Sequence, residues 1–435
     1  MHIHFISPAA EENAKIPSLS LMILAALTPS YIKTTYQDDL INPINLKEIK
    51  KDVDMVAITV STKTACRAYR IAEAYREKGV KVVMGGIHPT ALPYEALEYA
   101  DSVVIGEAEK IWPKLIKDFE NGRLSPMYRQ NEFIDCSLIP FAKRTLCYNY
   151  HYPPIAPIQI TRGCPHLCEF CSVRTFFGGK YRKRPIDAVI DEIASISRPV
   201  IMIHDDNIIG DEGYAKEFLS KMIPLKKRWV GQASLKGLNK KGIVKLLKKS
   251  GCIGLLIGFE SISEKNIKQS KKFQNNPAKY MEVIDMLHKA GIMIWASFIY
   301  GLDYDDETIF EKTVEFAIKA RFFSAVFAIL TPYPKTPIYE RLKKEGRLID
   351  EKWWLKEDQE KRAPHFIPKN ISREKLREGW QWSWKKFYSV SSIIRRFHYN
   401  YPHQIFPNLI HFPFNFQRKR FAKKKIIKGE LIFKK

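Results

Sequence analysis

The sequence predicts an α/β protein with two parallel-sheet domains and a mostly helical C-terminal region. Strand patterns alternate with helix patterns over residues 1–122, and the same alternation returns over residues 157–350. Strands that are separated by helices pair in parallel, because each helix carries the chain back across the sheet. A chain of 435 residues that is 45% hydrophobic can form a core in each domain.

The first domain is predicted to be a doubly wound sheet over residues 1–125. Such sheets bind ligands beyond the carboxyl ends of their strands. Three loops fall there, Ser61–Thr64, Gly85–Thr90 and Gly106–Glu109, and they are expected to form a ligand crevice. The supporting strands are His2–Ser7, Asp54–Ser61, Lys81–Gly86 and Asp101–Ile105, and the helices are Pro17–Leu27, Thr64–Lys78, Pro93–Tyr99 and Glu109–Phe119.

The second domain, residues 157–350, is predicted to be an open, partial (β/α)6 barrel. Residues 126–156, which are irregular and rich in Pro and Tyr, are interpreted as a linker before it, and residues 351–435 as a separate aromatic and basic region. Barrel active sites lie at the carboxyl ends of the strands. The six expected strands are Ile158–Thr161, Val200–His204, Val230–Ser234, Gly254–Phe259, Met293–Tyr300 and Ala325–Leu330.

Three cysteines, Cys164, Cys168 and Cys171, lie within the segment TRGCPHLCEFC directly after the first barrel strand. Iron–sulfur clusters are held by cysteine thiolates, and a four-iron cluster takes four of them. The other four cysteines are scattered, so one iron would keep an open position, as catalytic metal sites do. The alternatives are a zinc site completed by His166, or buried cysteines without a common role. Zinc motifs usually pair two short cysteine hairpins, and no second pair is present.

The cysteine spacing, with Phe170 as the aromatic residue before the third cysteine, resembles the signature of the radical S-adenosylmethionine (radical SAM) superfamily. The stretch 161–185 resembles the members that also carry a cobalamin-binding domain, and the resemblance extends over residues 1 to about 395. It implies a 4Fe–4S cluster on the three cysteines, with SAM chelating the open iron. It also implies an electron donor such as flavodoxin or ferredoxin, and cleavage of a carbon–sulfur bond to release a deoxyadenosyl radical.

The resemblance places further SAM contacts, beside Phe170, at the carboxyl ends of the barrel strands. The segment HDDN at 204–207 stands where the family meets the methionine amino group, but the common Gly-Gly-Glu form is absent. Asp205 or Asp206 would replace it; the alternative is a solvated turn with a helix N-cap. Ribose, carboxylate or adenine contacts are expected from Gln232, Ser234, Gly258 and Glu260.

The first domain resembles the cobalamin-binding half of the same family. The segments GGIHPT and GEAE carry this likeness, whereas the usual cobalt-ligating motif Asp-x-His-x-x-Gly is missing. Cobalamin therefore binds without a protein histidine, or the domain has lost it. His88 is the nearby imidazole, although a lone histidine in such a turn is more often structural. The expected corrin contacts are Ser61, Thr62, Gly85, Gly86, His88, Thr90, Gly106 and Glu107.

Positive charge is concentrated at the C-terminus. The net charge is +24, and the last 35 residues hold nine Lys and Arg against one acidic residue. Aromatic residues are mixed with cations over 411–425, which suits an anionic membrane surface, single-stranded nucleic acid or a solvated tail. No signal peptide and no apolar run of about 20 residues is present. A cytoplasmic protein, at most peripheral at the inner membrane face, is expected.

Together these features predict an enzyme that methylates an unactivated carbon of a small or lipid-like substrate with the help of cobalamin. One alternative is a radical cyclase or rearrangement enzyme without bound cobalamin. A methylthiotransferase acting on RNA would need three further N-terminal cysteines. A non-enzymatic protein that binds zinc and nucleic acid is the remaining alternative.

Overall fold

The computed structural model describes residues 1–9, 15–49, 52–147, 150–357, 363–397 and 405–430, with side chains over 408–423 in the last helix. It divides into two compact units. The first comprises Met1–Arg162, Ser172–Pro199 and Lys352–Glu357. The second comprises Gly163–Cys171, Val200–Glu351 and Asp358–Lys435.

The first unit is built on a parallel sheet with the strand order β2-β1-β3-β4-β5-β6. The strands are β1 His2–Ser7, β2 Lys33–Asp38, β3 Met55–Thr59, β4 Lys81–Gly85, β5 Ser102–Ile105, β6 Met127–Arg129, β7 Ile155–Ile158, β8 Thr161–Arg162 and β9 Arg182–Lys183. The helices are α1 Leu19–Leu27, α2 Ala65–Arg76, α3 Ile87–Ala91, α4 Pro93–Tyr99, α5 Ile111–Glu120, α6 Ser172–Phe177 and α7 Ile186–Ser195.

Helices α1 and α5 cover this sheet with apolar side chains. Trp112 of α5 lies against Phe5 of β1 and donates its indole N–H to Thr28 Oγ1 at 2.9 Å. The order of the strands reverses between β1 and β3. Sheets of this kind bind ligands beyond the carboxyl ends of the strands at that reversal.

The segment 126–156 differs from the expected linker. Its first residues form β6, which extends the sheet beside β5. Ile134, Ile139 and Cys147 are buried in the apolar core of the first unit. This segment therefore belongs to the first unit, and its short elements escaped prediction because β6 has only three residues.

The second unit contains five parallel strands in the order β14-β13-β12-β11-β10. The strands are β10 Val200–Ile203, β11 Arg228–Gln232, β12 Cys252–Glu260, β13 Met293–Tyr300 and β14 Ser324–Ile329. The helices are α8 Glu212–Met222, α9 Leu235–Leu238, α10 Ile243–Lys249, α11 Glu264–Gln269, α12 Tyr280–Ala290, α13 Ile309–Lys319, α14 Pro337–Lys344, α15 Arg373–Phe387, α16 Val390–Arg396 and α17 Ile405–Glu430. The predicted parallel α/β class with a helical C-terminus is confirmed.

The C-terminal helices pack on the last strands of the second unit. Trp380 and Trp384 of α15 both donate their indole N–H to the Phe327 carbonyl of β14, at 2.8 and 2.9 Å. The Arg396 guanidinium is buried over the Phe387 ring, and it donates to Asn415 Oδ1 of α17 at 3.1 Å. Trp384, Arg396 and Asn415 are thus core residues, and Trp380 is half-buried. Within the described residues, no helix is long and apolar enough to cross a bilayer.

Candidate functional site: the cysteine loop and the strand ends

The cysteine loop runs from Gly163 to Cys171 in the second unit. Gly163 has a φ of +83°, a left-handed conformation that glycine adopts without strain. The Glu169 N–H donates to the Ser270 carbonyl at 3.0 Å, and the Glu169 carbonyl accepts from Ile338 N at 3.1 Å. Arg341 of α14 donates to the Glu169 carboxylate at 2.7 Å. The loop is therefore held at its middle by both backbone and side chain.

A buried ammonium, that of Lys272, lies among the cysteines. It forms an ion pair with Glu260 at 2.7 Å and lies 5.7 Å from the centre of the Phe170 ring. Burial alone would lower the pKa of Lys272, but Glu260, and then Cys168 and Cys171, hold it above its usual value. The ammonium therefore stays protonated beside the thiols.

The chemistry of this loop fits an iron–sulfur cluster. Burial raises the pKa of the Cys164 thiol, so its thiolate needs a positive partner, and cluster iron supplies one. Gln274 donates to Cys168 Sγ at 3.2 Å, and such donors stabilise thiolate ligands. Among the described residues, no three His, Cys, Asp or Glu side chains are already gathered as a metal site. The fit rests on the donor set and on the cations and donors around it.

The end of β12 explains why Gly258 and Glu260 occur together. The strand register shifts between these two residues, and Glu260 has a φ of +61°. A Cβ at Gly258 would lie 2.2 Å from Glu260 Oε1 and 2.9 Å from Lys272 Nζ. A side chain at residue 258 would therefore have to displace the ion pair. The buried Glu260 carboxylate is thus paired with Lys272, a residue that the sequence alone did not single out.

The end of β10 contributes Asp205, Asp206 and Asn207. Burial raises the pKa of Asp206 to about 6, and its carboxylate accepts a hydrogen bond from the Gly163 N–H. Asn207, which is almost fully buried, accepts from the Ser234 N–H through Oδ1 at 3.1 Å. Asp206 therefore meets the first residue of the cysteine loop, while Asn207 joins the ends of β10 and β11.

Gln232 and Ser234 lie beside this joint. Gln232 is exposed, and its backbone carbonyl accepts a hydrogen bond from the Ile208 N–H at 3.0 Å. Ser234 is the residue before α9. The structure thus brings the β10, β11 and β12 ends to one edge of the sheet, as predicted. Their contacts with SAM remain predictions.

In the first unit, hydrogen bonds join the three predicted loops. Val60 N donates to the Gly85 carbonyl at 2.8 Å, and the Gly106 N–H donates to Thr90 Oγ1 at 3.0 Å. Gly86 has a φ of +111°, and a Cβ there would lie 2.8 Å from the Val60 carbonyl. Residues Ser61 and Thr64 form a reciprocal capping box. These loops form a continuous rim of backbone, hydroxyl groups and glycines at the strand ends.

His88 is not placed to ligate cobalt. It lies in helix α3 rather than in a turn, and its ring is fully buried. Its Nδ1 lies 3.3 Å from Thr62 Oγ1, and its Nε2 lies 3.0 Å from the Tyr69 hydroxyl and 3.2 Å from Glu95. Both ring nitrogens are engaged within the protein, so His88 has a structural role here.

Glu107, an expected corrin contact, lies in a group of buried ion pairs. Its carboxylate is buried and forms ion pairs with Arg162 at 2.7 Å and with Arg182 at 2.8 Å. An acidic residue in a glycine-containing loop after a strand resembles a ligand contact in sequence. Only the folded chain reveals the two arginines.

Comparison with known proteins gives the family. The profile of the radical SAM superfamily matches residues 158–317, that of the B12 binding domain residues 14–116, and a domain of unknown function (DUF4070) residues 336–419. The chain is 33% identical over 402 residues to the bacteriochlorophyllide d C-12(1)-methyltransferase of Chlorobaculum tepidum, covering 90% of this chain and 86% of that protein. The chain belongs to the radical SAM family with B12-binding domains. Its cofactors are a 4Fe–4S cluster, SAM and cobalamin.

Two further comparisons agree with this assignment. The radical SAM chain is 30% identical to the bacteriochlorophyllide d C-8(2)-methyltransferase of the same organism, covering 88% of each protein. Its fold matches that of the radical SAM methyltransferase TsrM from Kitasatospora setae, solved with cobalamin and a 4Fe–4S cluster. That match has a TM-score of 0.63 at 15% identity and covers 79% of this chain and 78% of TsrM. The protein is therefore a radical SAM enzyme of the methyltransferase kind.

Proposed function

We propose that this radical SAM enzyme methylates an unactivated carbon of an apolar, polycyclic small molecule, with a tetrapyrrole as the first candidate. The observation that carries the proposal is the cysteine loop with the buried Lys272 among its thiols, in a chain that also has a B12-binding domain. Two relatives that are at least 30% identical over most of this chain act, by name, on bacteriochlorophyllide d. The fold alone does not determine the substrate, because function depends on the site.

The roles of the chain's own residues follow from their positions. Cys164, Cys168 and Cys171 would hold the cluster, and Lys272 and Gln274 would stabilise its negative charge. Asp205 or Asp206 would meet the SAM amino group, with Gln232, Ser234 and Glu260 on the same rim. When bound, these cofactors supply reductive cleavage of SAM and a cobalt-borne methyl group.

In the first unit, the rim formed by Ser61–Thr64, Gly85–Thr90 and Gly106 would lie against the corrin. Its backbone amides, hydroxyl groups and glycines suit a flat ligand, because little side-chain bulk separates the strand ends from it. Cobalt would not be ligated by His88, because the His88 ring is committed to Thr62, Tyr69 and Glu95.

An anaerobic turnover assay tests the proposed function. The protein is reconstituted with iron, sulfide and hydroxocobalamin, and is then incubated with SAM, bacteriochlorophyllide d and reduced flavodoxin or ferredoxin as the proposed electron donor. We expect S-adenosylhomocysteine, deoxyadenosine and a product heavier by one methyl group. Deoxyadenosine without S-adenosylhomocysteine would instead favour the radical cyclase or rearrangement alternative.

We propose further that helix α17 brings the enzyme to the anionic cytoplasmic face of a membrane. Lys419, Arg420 and Lys423 are exposed on it, and Leu409 and Phe416 expose apolar surface. Each cation near an anionic leaflet contributes about 1 kcal/mol, so the attraction is weak and reversible. Other aromatic residues are already used: Phe414 packs on Phe323, and Phe412 packs on Phe397. The predicted membrane-binding tail was 411–435. Its side chains from residue 424 onward, and residues 431–435 altogether, lie outside the described residues.

Vesicle co-sedimentation tests this surface. The triple variant Lys419→Glu, Arg420→Glu, Lys423→Glu should release the protein from vesicles rich in anionic lipid at low salt. The matched control Lys245→Glu, Lys248→Glu, Lys249→Glu makes the same charge change on exposed lysines of α10 and should stay bound. Equal loss in both variants would show a diffuse charge effect, and binding to single-stranded RNA alone would favour nucleic acid.

A further inference from the structure

The buried carboxylate of Glu107 contacts both ends of the longer loop that contains the cysteines. Strands β8 and β9 pair antiparallel with Arg162 opposite Arg182, and residues 163–181 run between them. Arg162 Nη1 donates to Glu107 Oε1 at 2.7 Å, and Arg182 Nη1 donates to Glu107 Oε2 at 2.8 Å. Glu107 and both arginines belong to the same compact unit. One carboxylate therefore fixes the distance between the two ends of the loop.

The surroundings of Glu107 leave it committed to this task. Glu107 is 4% exposed and Arg162 6% exposed, and Glu107 Oε2 also accepts from the Ile134 N–H at 3.0 Å. Glu109 forms a second ion pair with Arg162. Two carboxylates thus balance two guanidinium groups. A buried carboxylate that loses one such partner leaves an uncompensated charge. Moving any of these four side chains out of its ion pair would therefore be costly.

The returning half of the loop is held at the same place. A Cβ at Gly178 would lie 2.6 Å from the Phe133 ring, and Gly178 has a φ of +63°. The Arg182 guanidinium lies 4.8 Å from the centre of the same ring. Phe133 directly precedes Ile134, whose N–H contacts Glu107. The residues that flank the loop, Arg162 and Arg182, and its returning part at Gly178 therefore lie around one small segment, Phe133 and Ile134, together with Glu107.

From these contacts we infer that Glu107 is a positioning residue for the cluster-binding cysteines. Arg162 stands two residues before Cys164, so its anchor to Glu107 fixes where the cysteine segment begins. This assigns the GEAE segment to the support of the cysteine loop rather than to corrin contact. The inference rests on the proposed function, because it presupposes a cluster on Cys164, Cys168 and Cys171.

The test compares Glu107→Gln with a matched control in the full-length reconstituted protein. Asp39→Asn is the control, because Asp39 is also a buried carboxylate of the first unit; it accepts from Arg67 Nη2 at 2.8 Å and from Ile44 N at 2.7 Å. The measurements are the rate at which a chelator removes iron anaerobically, the electron paramagnetic resonance spectrum of the reduced cluster with SAM, and hydroxocobalamin affinity.

Glu107→Gln should lose iron about tenfold faster than the wild type, the scale on which supporting residues act at metal sites. Its reduced-cluster spectrum should change on adding SAM less than that of the wild type, while its corrin affinity stays the same. Asp39→Asn should keep the wild-type rate and spectrum even where its melting temperature falls. If Glu107→Gln does not fold, Arg182→Lys, which keeps the charge but loses the planar fork, should show the same faster loss of iron.

Two results would overturn the inference. One is a Glu107→Gln protein with wild-type iron retention and spectrum. The other is lost corrin affinity with an intact cluster, which would make Glu107 a corrin contact. A wild-type protein that holds no cluster after reconstitution would instead refute the proposed function, so the two failures are distinguishable.

Discussion

The strand ends of the two units use their charged residues in opposite ways. In the second unit, Lys272 and Glu260 pair beside the cysteines, and Asp206 meets the first residue of their loop. In the first unit, Glu107 and His88 are turned into the protein, and the rim is left to backbone, hydroxyl groups and glycines. The comparison teaches that a site for a small, charged cofactor depends on particular charged side chains. A site for a broad, flat corrin depends instead on a surface with little side-chain bulk.

The largest expected effect concerns the cysteines. Cys164→Ala, Cys168→Ala or Cys171→Ala should each abolish SAM cleavage, because the loop supplies only the three thiolates that the cluster needs. The measurement is deoxyadenosine formed under anaerobic reducing conditions. Cys252→Ala, which removes another buried cysteine of the same unit, should retain activity. A Cys168→Ala protein with full iron and full cleavage would contradict the assignment of the cluster to the cysteine loop of the second unit.

The ion pair beside the cysteines gives the next effect. Lys272→Met should lower the free energy of unfolding by about 3–5 kcal/mol, because it leaves the Glu260 carboxylate buried without its cation. The double variant Lys272→Met, Glu260→Gln should recover part of that loss, as measured by chemical denaturation. Equal stability of the single and double variants would mean that the pair is solvated and unimportant.

A variant of His88 tests whether this buried residue of the first unit is structural. His88→Gln should lower the free energy of unfolding by about 1–3 kcal/mol, because it disturbs buried hydrogen bonds to Tyr69 and Glu95. Its affinity for hydroxocobalamin, measured by absorption titration, should equal that of the wild type. A stable His88→Gln protein that loses the corrin would show that the imidazole reaches cobalt.

The smallest expected effect is the dependence of stability on acidic pH, through Asp303. Asp303 accepts from Arg341 and pairs with Arg347, and Arg341 also holds Glu169 of the cysteine loop. Burial alone would raise the pKa of Asp303, but Arg347 and Arg341 hold it below its usual value. Its stabilising contribution is therefore present above the usual Asp pKa of about 3.9 and is lost as pH falls through the lower folded value.

Asp303→Asn should therefore be less stable than the wild type near neutral pH, and its melting temperature should fall less on acidification below about pH 4. Parallel melting curves of the two proteins across that range would contradict the role of this carboxylate.

The features that the sequence predicted correctly are those that depend on a short, local pattern of residues. Buried strands such as Met55–Thr59 and the cysteine triplet need no knowledge of distant residues. Strand β2, KTTYQD, was missed because it lies at the sheet edge and lacks an apolar pattern. Lys272 was missed because nothing local distinguishes the one lysine of a basic segment that pairs with Glu260. The buried partners of His88 and Glu107 could not be predicted, because sequence does not reveal which way a side chain turns; their corrin contacts remain predictions.

The most direct measurement is the metal content of the reconstituted full-length protein. The proposed function predicts about four iron atoms per chain from one cluster on three cysteines, together with one cobalt from the corrin. A Cys168→Ala protein should lose the iron and keep the cobalt, because the two sites use different residues. Zinc in place of iron, or an intact cluster without cobalt, would contradict it.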